Sequence, residues 1–293
     1  MSRRTPAVIA ALLTLSIVAV GCGSSSGSDS SAKSTTTGAD GAASCKTADL
    51  PLKEAGALKV ATGEPAFEPW VVDDKPQNGK GFEAAVVYAV ADKLGIDKSA
   101  VTWTRTGFDE AVAPGDKDYD FNVQQYSITP ERDKVVDFSD GYYTVEQAVI
   151  ASPDADIAKA TSLADLKDAQ LGAAIGTTSL DYIEKYIKPT KEPLVFDDNA
   201  AAKAAFDAGQ VDGIVFDLPT AYYITSAEIT DSKIVGILPQ QGKAEKLGFL
   251  FEDGSPLVTC VNQALTALTD DGTLAELQKQ WLSQGGDIPT LTN

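Results

Sequence analysis

The chain has 293 residues, of which 43% are hydrophobic, 8% aromatic and 23% charged, a composition that fits one or two globular domains and excludes fibrous or fully disordered material. Against 42 Asp and Glu stand 24 Lys and Arg, for a net charge of −18, so no nucleic-acid partner is expected, since binding phosphate needs a basic footprint. The chain contains no histidine, which removes Ser-His-Asp and Cys-His nucleophile pairs and all His-containing metal sites; no metal and no cofactor are expected.

In chain order, Arg3 and Arg4 precede an apolar run of 14 residues, Ala7–Val20, interrupted by Thr14 and Ser16. This is the pattern of a signal peptide, too short for a bilayer span of roughly 18 or more apolar residues. Ala19-Val20-Gly21-Cys22 resembles a bacterial lipoprotein processing site, which implies cleavage before Cys22 and acylation of that cysteine; the alternative is an ordinary signal peptide with an incidental cysteine. Loss of residues 1–21 takes the net charge to −20 and leaves two arginines, Arg105 and Arg132. In the 22 residues of Gly23–Ser44, Ser, Gly and Thr fill 15 places, so residues 22–44 form a flexible tether. Its expected reach is about 26 Å r.m.s.. The two remaining cysteines, Cys45 and Cys260, are an even pair in an exported chain and are expected to bridge rather than stay as thiols.

From Cys45 onward, strands and helices alternate. Leu58–Thr62, Val101–Arg105 and Tyr119–Val123 read as strands, and Gly81-Phe82 opens a helix with an apolar stripe at Phe82, Val86, Ala89, Val90 and Leu94, stopped by Gly95. After residue 150 the pattern repeats: a helix start at Ser162–Lys167, strand Leu171–Ile175, helix Thr178–Ile187, strand Leu194–Phe196, helix Ala200–Ala208 and strand Asp212–Phe216. Such alternation predicts two α/β lobes with mostly parallel sheets. Residues 206–216 and 115–123 share an order of turn, Asp and strand, which suggests related lobes or simply a common turn. Two final helices, Leu257–Leu268 and one opened by a Thr273–Glu276 capping box, come late enough to imply a return to the first lobe.

The most informative stretch is Gln125-Tyr-Ser-Ile-Thr-Pro-Glu-Arg132. Hydroxyls at Ser127 and Thr129, a Pro130 suited to a helix start and a scarce arginine together make a carboxylate receptor; a surface turn with an incidental arginine is the alternative.

That block, with Ala66-Phe67-Glu-Pro-Trp70, Gly81-Phe82-Glu83, Gly176-Thr177-Thr178, Val211-Asp212…Asp217-Leu-Pro219 and Asp271-Gly272-Thr273…Trp281-Leu282, resembles the solute-binding proteins of family 3, the amino-acid receptors of ABC uptake systems, over most of residues 58–283. The resemblance implies the two-lobed α/β periplasmic-binding-protein fold of type II (Venus-flytrap), with the ligand in the cleft between lobes. It divides the chain into residues 1–21 (signal peptide), 22–44 (tether), 45–146 plus 243–293 (lobe 1) and 147–242 (lobe 2), with two strands crossing between the lobes. It places the ligand α-carboxylate on Arg132, Ser127 and the Gly176–Thr178 turn, including Thr177 and Thr178. The α-ammonium falls to Asp217 and the backbone carbonyl of Gln125. Phe67 and Phe108 would cover the ligand side chain, with Trp70 close by.

Two departures stand out. Gln125 occupies a position where the family usually has Gly, so its side chain is expected to enter or narrow the pocket. Ala173-Ala174-Ile175 lacks the basic residue some members use for an acidic side chain, and Arg105, on a strand, is expected at the surface. The implied function is capture of an amino acid or similar zwitterion and delivery to the transmembrane permease subunits of an ABC importer, by a monomer lipid-anchored outside the cell membrane or held in the periplasm. A ligand sensor without transport, and a dehydratase on the same fold with Glu64 as acid, are the alternatives.

Overall fold

The structure, a computed structural model, describes residues 45–282 and 287–293; the signal-peptide, tether and Cys22 readings fall outside these residues. Twelve strands are described: β1 (Leu58–Thr62), β2 (Val101–Arg105), β3 (Phe121–Asn122), β4 (Asp137–Phe138), β5 (Tyr143–Val145), β6 (Gln147–Ala151), β7 (Leu171–Ala174), β8 (Leu194–Phe196), β9 (Gly213–Asp217), β10 (Lys233–Ile237), β11 (Glu245–Leu247) and β12 (Leu250–Phe251). The α-helices are α1 (Phe82–Lys93), α2 (Phe108–Val112), α3 (Thr178–Tyr182), α4 (Asn199–Asp207), α5 (Leu218–Tyr223), α6 (Val258–Asp270) and α7 (Thr273–Leu282).

Two five-stranded sheets result, in orders β2-β1-β3-β12-β4 and β10-β6-β9-β7-β8. In the first, β1 runs parallel to β2 and β3 while β12 is antiparallel to β3 and β4; in the second, β7 runs parallel to β8 and β9 while β6 is antiparallel to β9 and β10. The sheets are therefore mixed rather than mostly parallel. The strands next to the connections between lobes, β6 and β12, enter each sheet from the opposite end. The matching segments 115–123 and 206–216 lead into β3 and β9, which hold the same place in the two orders. A separate antiparallel pair, β5 and β11, carries the chain between the sheets, with Glu245 opposite Val145 and Leu247 opposite Tyr143.

The predicted elements shift in ways that packing explains. The Tyr119–Val123 strand contracts to Phe121–Asn122, although Asp120 and Val123 still donate to the carbonyls of Lys59 and Ala61. Helix α1 is buried at Val87 as well as at Phe82, Val86 and Val90 of its expected stripe, because α6 and α7 pack against it, and Ala84 is buried against Ala66 and Val71. The Thr178–Ile187 helix opens after Tyr182 into a wider i→i+5 turn, Ile183–Ile187, stopped by Lys188 at φ 52°. Helix α7 starts as predicted, but the N–H of Thr273 donates to the Asp271 carboxylate (2.9 Å).

Helices α6 and α7 join the core built around Leu58, Phe82, Phe121 and Phe249, so the chain does return to the first sheet. The last residues do not stay there. Leu291 is buried in the core of the second sheet; its N–H donates to Ile237 O (2.8 Å) and that of Thr292 to Thr161 O (2.9 Å). This corrects the assignment of all of 243–293 to the first lobe: an apolar side chain between two polar threonines finds its cover beside β10.

Cys45 and Cys260 form a disulfide across 215 residues of sequence, with Cα atoms 5.3 Å apart, tying the start of the folded chain to α6. Closing so long a loop restricts the unfolded chain, so Cys45→Ala/Cys260→Ala is expected to lose about 2–4 kcal/mol in urea unfolding, with an unchanged far-ultraviolet spectrum. An unchanged midpoint would contradict this.

Candidate functional site

Between the two sheets lies a cavity of about 170 Å³. Its walls are the segments that follow parallel strands: Glu64–Phe67 after β1, Thr106–Phe108 after β2, Gln124–Ser127 after β3, Ala174–Ser179 after β7, Asp197–Asn199 after β8, and Asp217 at the end of β9. Both sheets thus aim the carboxyl ends of their strands at one crevice, the place where open α/β sheets bind ligands. The lobes are closed on each other. Arg132 Nη2 reaches Gly176 O at 2.9 Å, and Trp70 Nε1 reaches Thr220 Oγ1 at 2.8 Å.

Arg132, in a short 3₁₀ turn, is buried at 8% exposure. Its Nη1 donates to Ser127 O (2.7 Å), and its Cζ lies 5.2 Å from the Phe108 ring, which stacks on Tyr126. No carboxylate lies within 4 Å of its nitrogens among the described residues, whereas Arg105 pairs with Asp74 at 2.6 Å. Gly176 makes the cross-lobe contact possible. It sits at φ +70°, and a Cβ there would meet Asp109 Oδ1 of α2 at 2.2 Å.

On the opposite wall, Asp217 accepts a hydrogen bond from Gln147 Nε2 (2.6 Å). Burial, and then the charge of Glu245, push its pKa up to about 8. The Thr177 hydroxyl donates to Ala174 O (2.7 Å) and accepts from Leu180 N–H (3.2 Å), capping α3. The hydroxyls of Ser127 and Thr178 both donate to Glu245, at 2.5 and 2.6 Å.

Of the nine predicted residues, Phe67, Phe108, Gln125, Ser127, Arg132, Thr177, Thr178 and Asp217 line the cavity. Trp70 does not. It is fully buried against Phe82 and Tyr143, where its indole N–H closes the lobe contact to Thr220. Arg105 is no loose surface residue either: its guanidinium clamps Gly63 O and Asp74, holding the loop that carries Phe67. Glu64 lies exposed at the cavity wall. Glu245 and Gln147 were missed. They belong to the β11 and β6 ends of the crossing strands, where neither periodicity nor a motif singles out a side chain.

A sequence model of the bacterial extracellular solute-binding proteins, family 3, matches residues 58–284. The chain is 29% identical to the L-cystine-binding protein TcyA of Bacillus subtilis, covering 95% of this chain and 97% of that one. It is 27% identical to the arginine-binding extracellular protein ArtP of the same organism, covering 78% and 88%. Among solved structures, an ancestral arginine-binding protein bound to glutamine shares 30% identity at a TM-score of 0.67, covering 79% of this chain and all of that one. An ancestral amino-acid-binding protein described as a precursor of cyclohexadienyl dehydratase shares 31% at 0.65, covering 78% and 96%.

At the cavity wall, Gln125 stands at φ 51°, the left-handed region that favours Gly, which is a backbone reason for glycine at this place. Its side chain amide turns onto Glu83. The Gln125 N–H (2.8 Å) and Nε2 both donate to the Glu83 carboxylate, as does Tyr142 Oη at 2.5 Å. Burial outweighs these bonds and raises the Glu83 pKa to about 7. A carboxyl whose folded pKa lies above its unfolded value stabilises the fold below pH 4.5, relative to the ionised state, and that stabilisation is lost as pH rises through 7. From pH 5 to 8 the wild type is therefore expected to lose on the order of 2–3 kcal/mol relative to Glu83→Gln in paired urea titrations. Parallel stability curves for the two proteins would contradict the assignment.

Proposed function

This chain belongs to the bacterial extracellular solute-binding proteins, family 3, and on that premise we propose that it captures an amino acid by closure of the cleft and delivers it to the transmembrane subunits of an ABC importer. The observation that carries the reading is Arg132: a buried guanidinium bonded to one carbonyl from each lobe, stacked over Phe108, with a cavity in front of it and no carboxylate on it among the described residues. A desolvated cation without a counter-ion is costly, and a ligand carboxylate would supply both the charge and a bidentate partner. Asp217, from the other lobe, would take the ligand ammonium. Relatives named for arginine, cystine and glutamine support a small zwitterion as ligand. Only the closed form lets both lobes touch the ligand, so binding would shift the open–closed equilibrium.

One observation favours a second reading. An acid catalyst needs a carboxyl that keeps its proton near neutral pH, and burial beside Glu245 pushes the Asp217 pKa up to about 8. Together with the neighbour described as a dehydratase precursor, this supports a test for turnover of a cyclohexadienyl substrate. The relatives named above are binding proteins, and capture without chemistry is the reading carried here.

For the segment outside the described residues, the reading is an acylated Cys22 with residues 23–44 as tether, supported by the Ala19–Cys22 pattern. Cys22→Ser is expected to move the protein from the membrane fraction to the soluble one or to leave the precursor uncleaved. A fully processed Cys22→Ser protein retained on the membrane would contradict it.

A thermal-shift panel of the amino acids identifies the ligand, since a ligand at 100 times its Kd adds about 2.7 kcal/mol. For the strongest one, Arg132→Ala or Asp217→Ala is expected to weaken binding by about 30- to 4,000-fold, with Arg132→Lys nearly as poor as Ala. An ammonium prefers the ionised form of Asp217, so binding at pH 7 releases close to one proton and the affinity rises with pH towards 8. Calorimetry in buffers of different ionisation enthalpy reads that proton, and Asp217→Asn abolishes it. Less than a threefold effect from both alanine variants would locate the site elsewhere.

A further inference from the structure

The two hydroxyls expected to serve a ligand carboxylate are already engaged by a carboxylate of the chain itself. Glu245 Oε1 accepts from Ser127 Oγ of the first lobe at 2.5 Å and from Thr178 Oγ1 of the second at 2.6 Å. A hydroxyl has one proton to give, so neither residue donates to Glu245 and to a ligand at once. Glu245 does not line the 170 Å³ cavity. It reaches the hydroxyls from behind, out of a separate space of about 770 Å³ along the crossing strands. Its position is held from several sides: the backbone pairs with Val145 in the β5–β11 ladder, and Gln147 Nε2 stands 3.5 Å from Oε1 while donating to Asp217 at 2.6 Å. The Gln147 amide is itself oriented by Ser179 Oγ, which donates to its Oε1 at 2.5 Å. Two carboxylates, Asp217 and Glu245, thus share this end of the cleft with the single guanidinium of Arg132.

We propose that Glu245 is a specificity-determining residue of the cleft, a built-in carboxylate that competes with the ligand's carboxylate for the Ser127–Thr178 hydroxyl pair. The inference rests on the amino-acid reading above. A ligand carboxylate arriving at Arg132 must displace Glu245 from the pair or bind without it, in the field of a nearby anion. Amino acids therefore bind below the affinity that Arg132 and the two hydroxyls together allow. A ligand with a second carboxylate brings one more negative charge to a site where Glu245 already supplies one and disfavours ionisation of Asp217, and is rejected.

Glu245→Gln retains the size of the side chain and removes the charge. Its amide accepts one hydroxyl proton and donates to the other oxygen, which frees one donor for the ligand. One charge-assisted hydrogen bond regained corresponds to about 10- to 100-fold in Kd. The experiment titrates the full-length wild type and Glu245→Gln with the amino acid of largest thermal shift, with the α-amide of that amino acid by displacement, and with glutamate. The expected result is tighter binding of the free acid by about 10- to 100-fold, a change under about threefold for the amide, and a gain for glutamate at least as large as for the neutral acid. A merely structural role for Glu245 would move acid and amide together, and that outcome, or unchanged or weaker binding of the acid, overturns the inference. If Glu245→Gln fails to fold, Glu245→Asp, too short to serve both hydroxyls, replaces it with the same expected direction and the same overturning result. A wild type that binds no amino acid overturns the function proposed above as well; binding that Glu245→Gln leaves unaltered overturns this inference alone.

Discussion

A guanidinium taken out of water sets the terms for the rest of this molecule. Burial of Arg132 costs several kcal/mol unless its donors and its charge are met, and two carbonyls with an aromatic face answer the donors but not the charge. The architecture around it follows from that need. Two sheets must present their carboxyl ends to the same crevice. The turn at Gly176 takes φ +70°, which favours glycine, and a Cβ there would also displace the Asp109 carboxylate. Phe108 must be held flat by Tyr126 to offer its ring. No carboxylate among the described residues pairs directly with that cation, and under the function proposed above a ligand carboxylate enclosed between the lobes would do so.

Negative charge is arranged around that cation with equal care. Asp217 keeps its proton at neutral pH because burial and the neighbouring Glu245 both disfavour ionisation. Glu83 is buried where it can hold Gln125 in a left-handed turn behind the pocket wall. These carboxyls do different work. Asp217 accepts from Gln147 and in the proposed function would take the ligand ammonium, Glu83 holds the Gln125 backbone, and Glu245 occupies hydroxyls from the crossing strands. The chain as a whole is strongly acidic, yet the cavity depends on which acids are protonated, which are hydrogen-bonded and which remain free to meet a ligand.

Much of this was legible in the sequence where one residue type has one physical use. The scarcity of arginine singles out Arg132, Pro and hydroxyls in a turn after a strand point to a carboxylate receptor, and the family resemblance adds Asp217; all three segments meet at the cavity. Cys45 and Cys260 pair as expected. What stayed hidden depends on packing between distant segments. Trp70 reads like a pocket aromatic, but its indole N–H is spent on Thr220 in the other lobe, which no local pattern reveals. Arg105 looks like a strand surface residue until the loop at Asp74 folds back on it. Glu245 lies 118 residues from Ser127 and 67 from Thr178, and only the crossing of β5 and β11 brings the three together. Leu291 joins the second core after a helix that belongs to the first, a step that amphipathic pattern alone does not specify.

The central claim, that the buried guanidinium awaits a ligand carboxylate, is tested most directly by a crystal structure of the protein with the amino acid that stabilises it most. The α-carboxylate is expected on Arg132 and the α-ammonium on Asp217, with both lobes in contact with the ligand. A ligand whose carboxylate lies away from Arg132, with the guanidinium still bonded only to the Ser127 and Gly176 carbonyls, would contradict it.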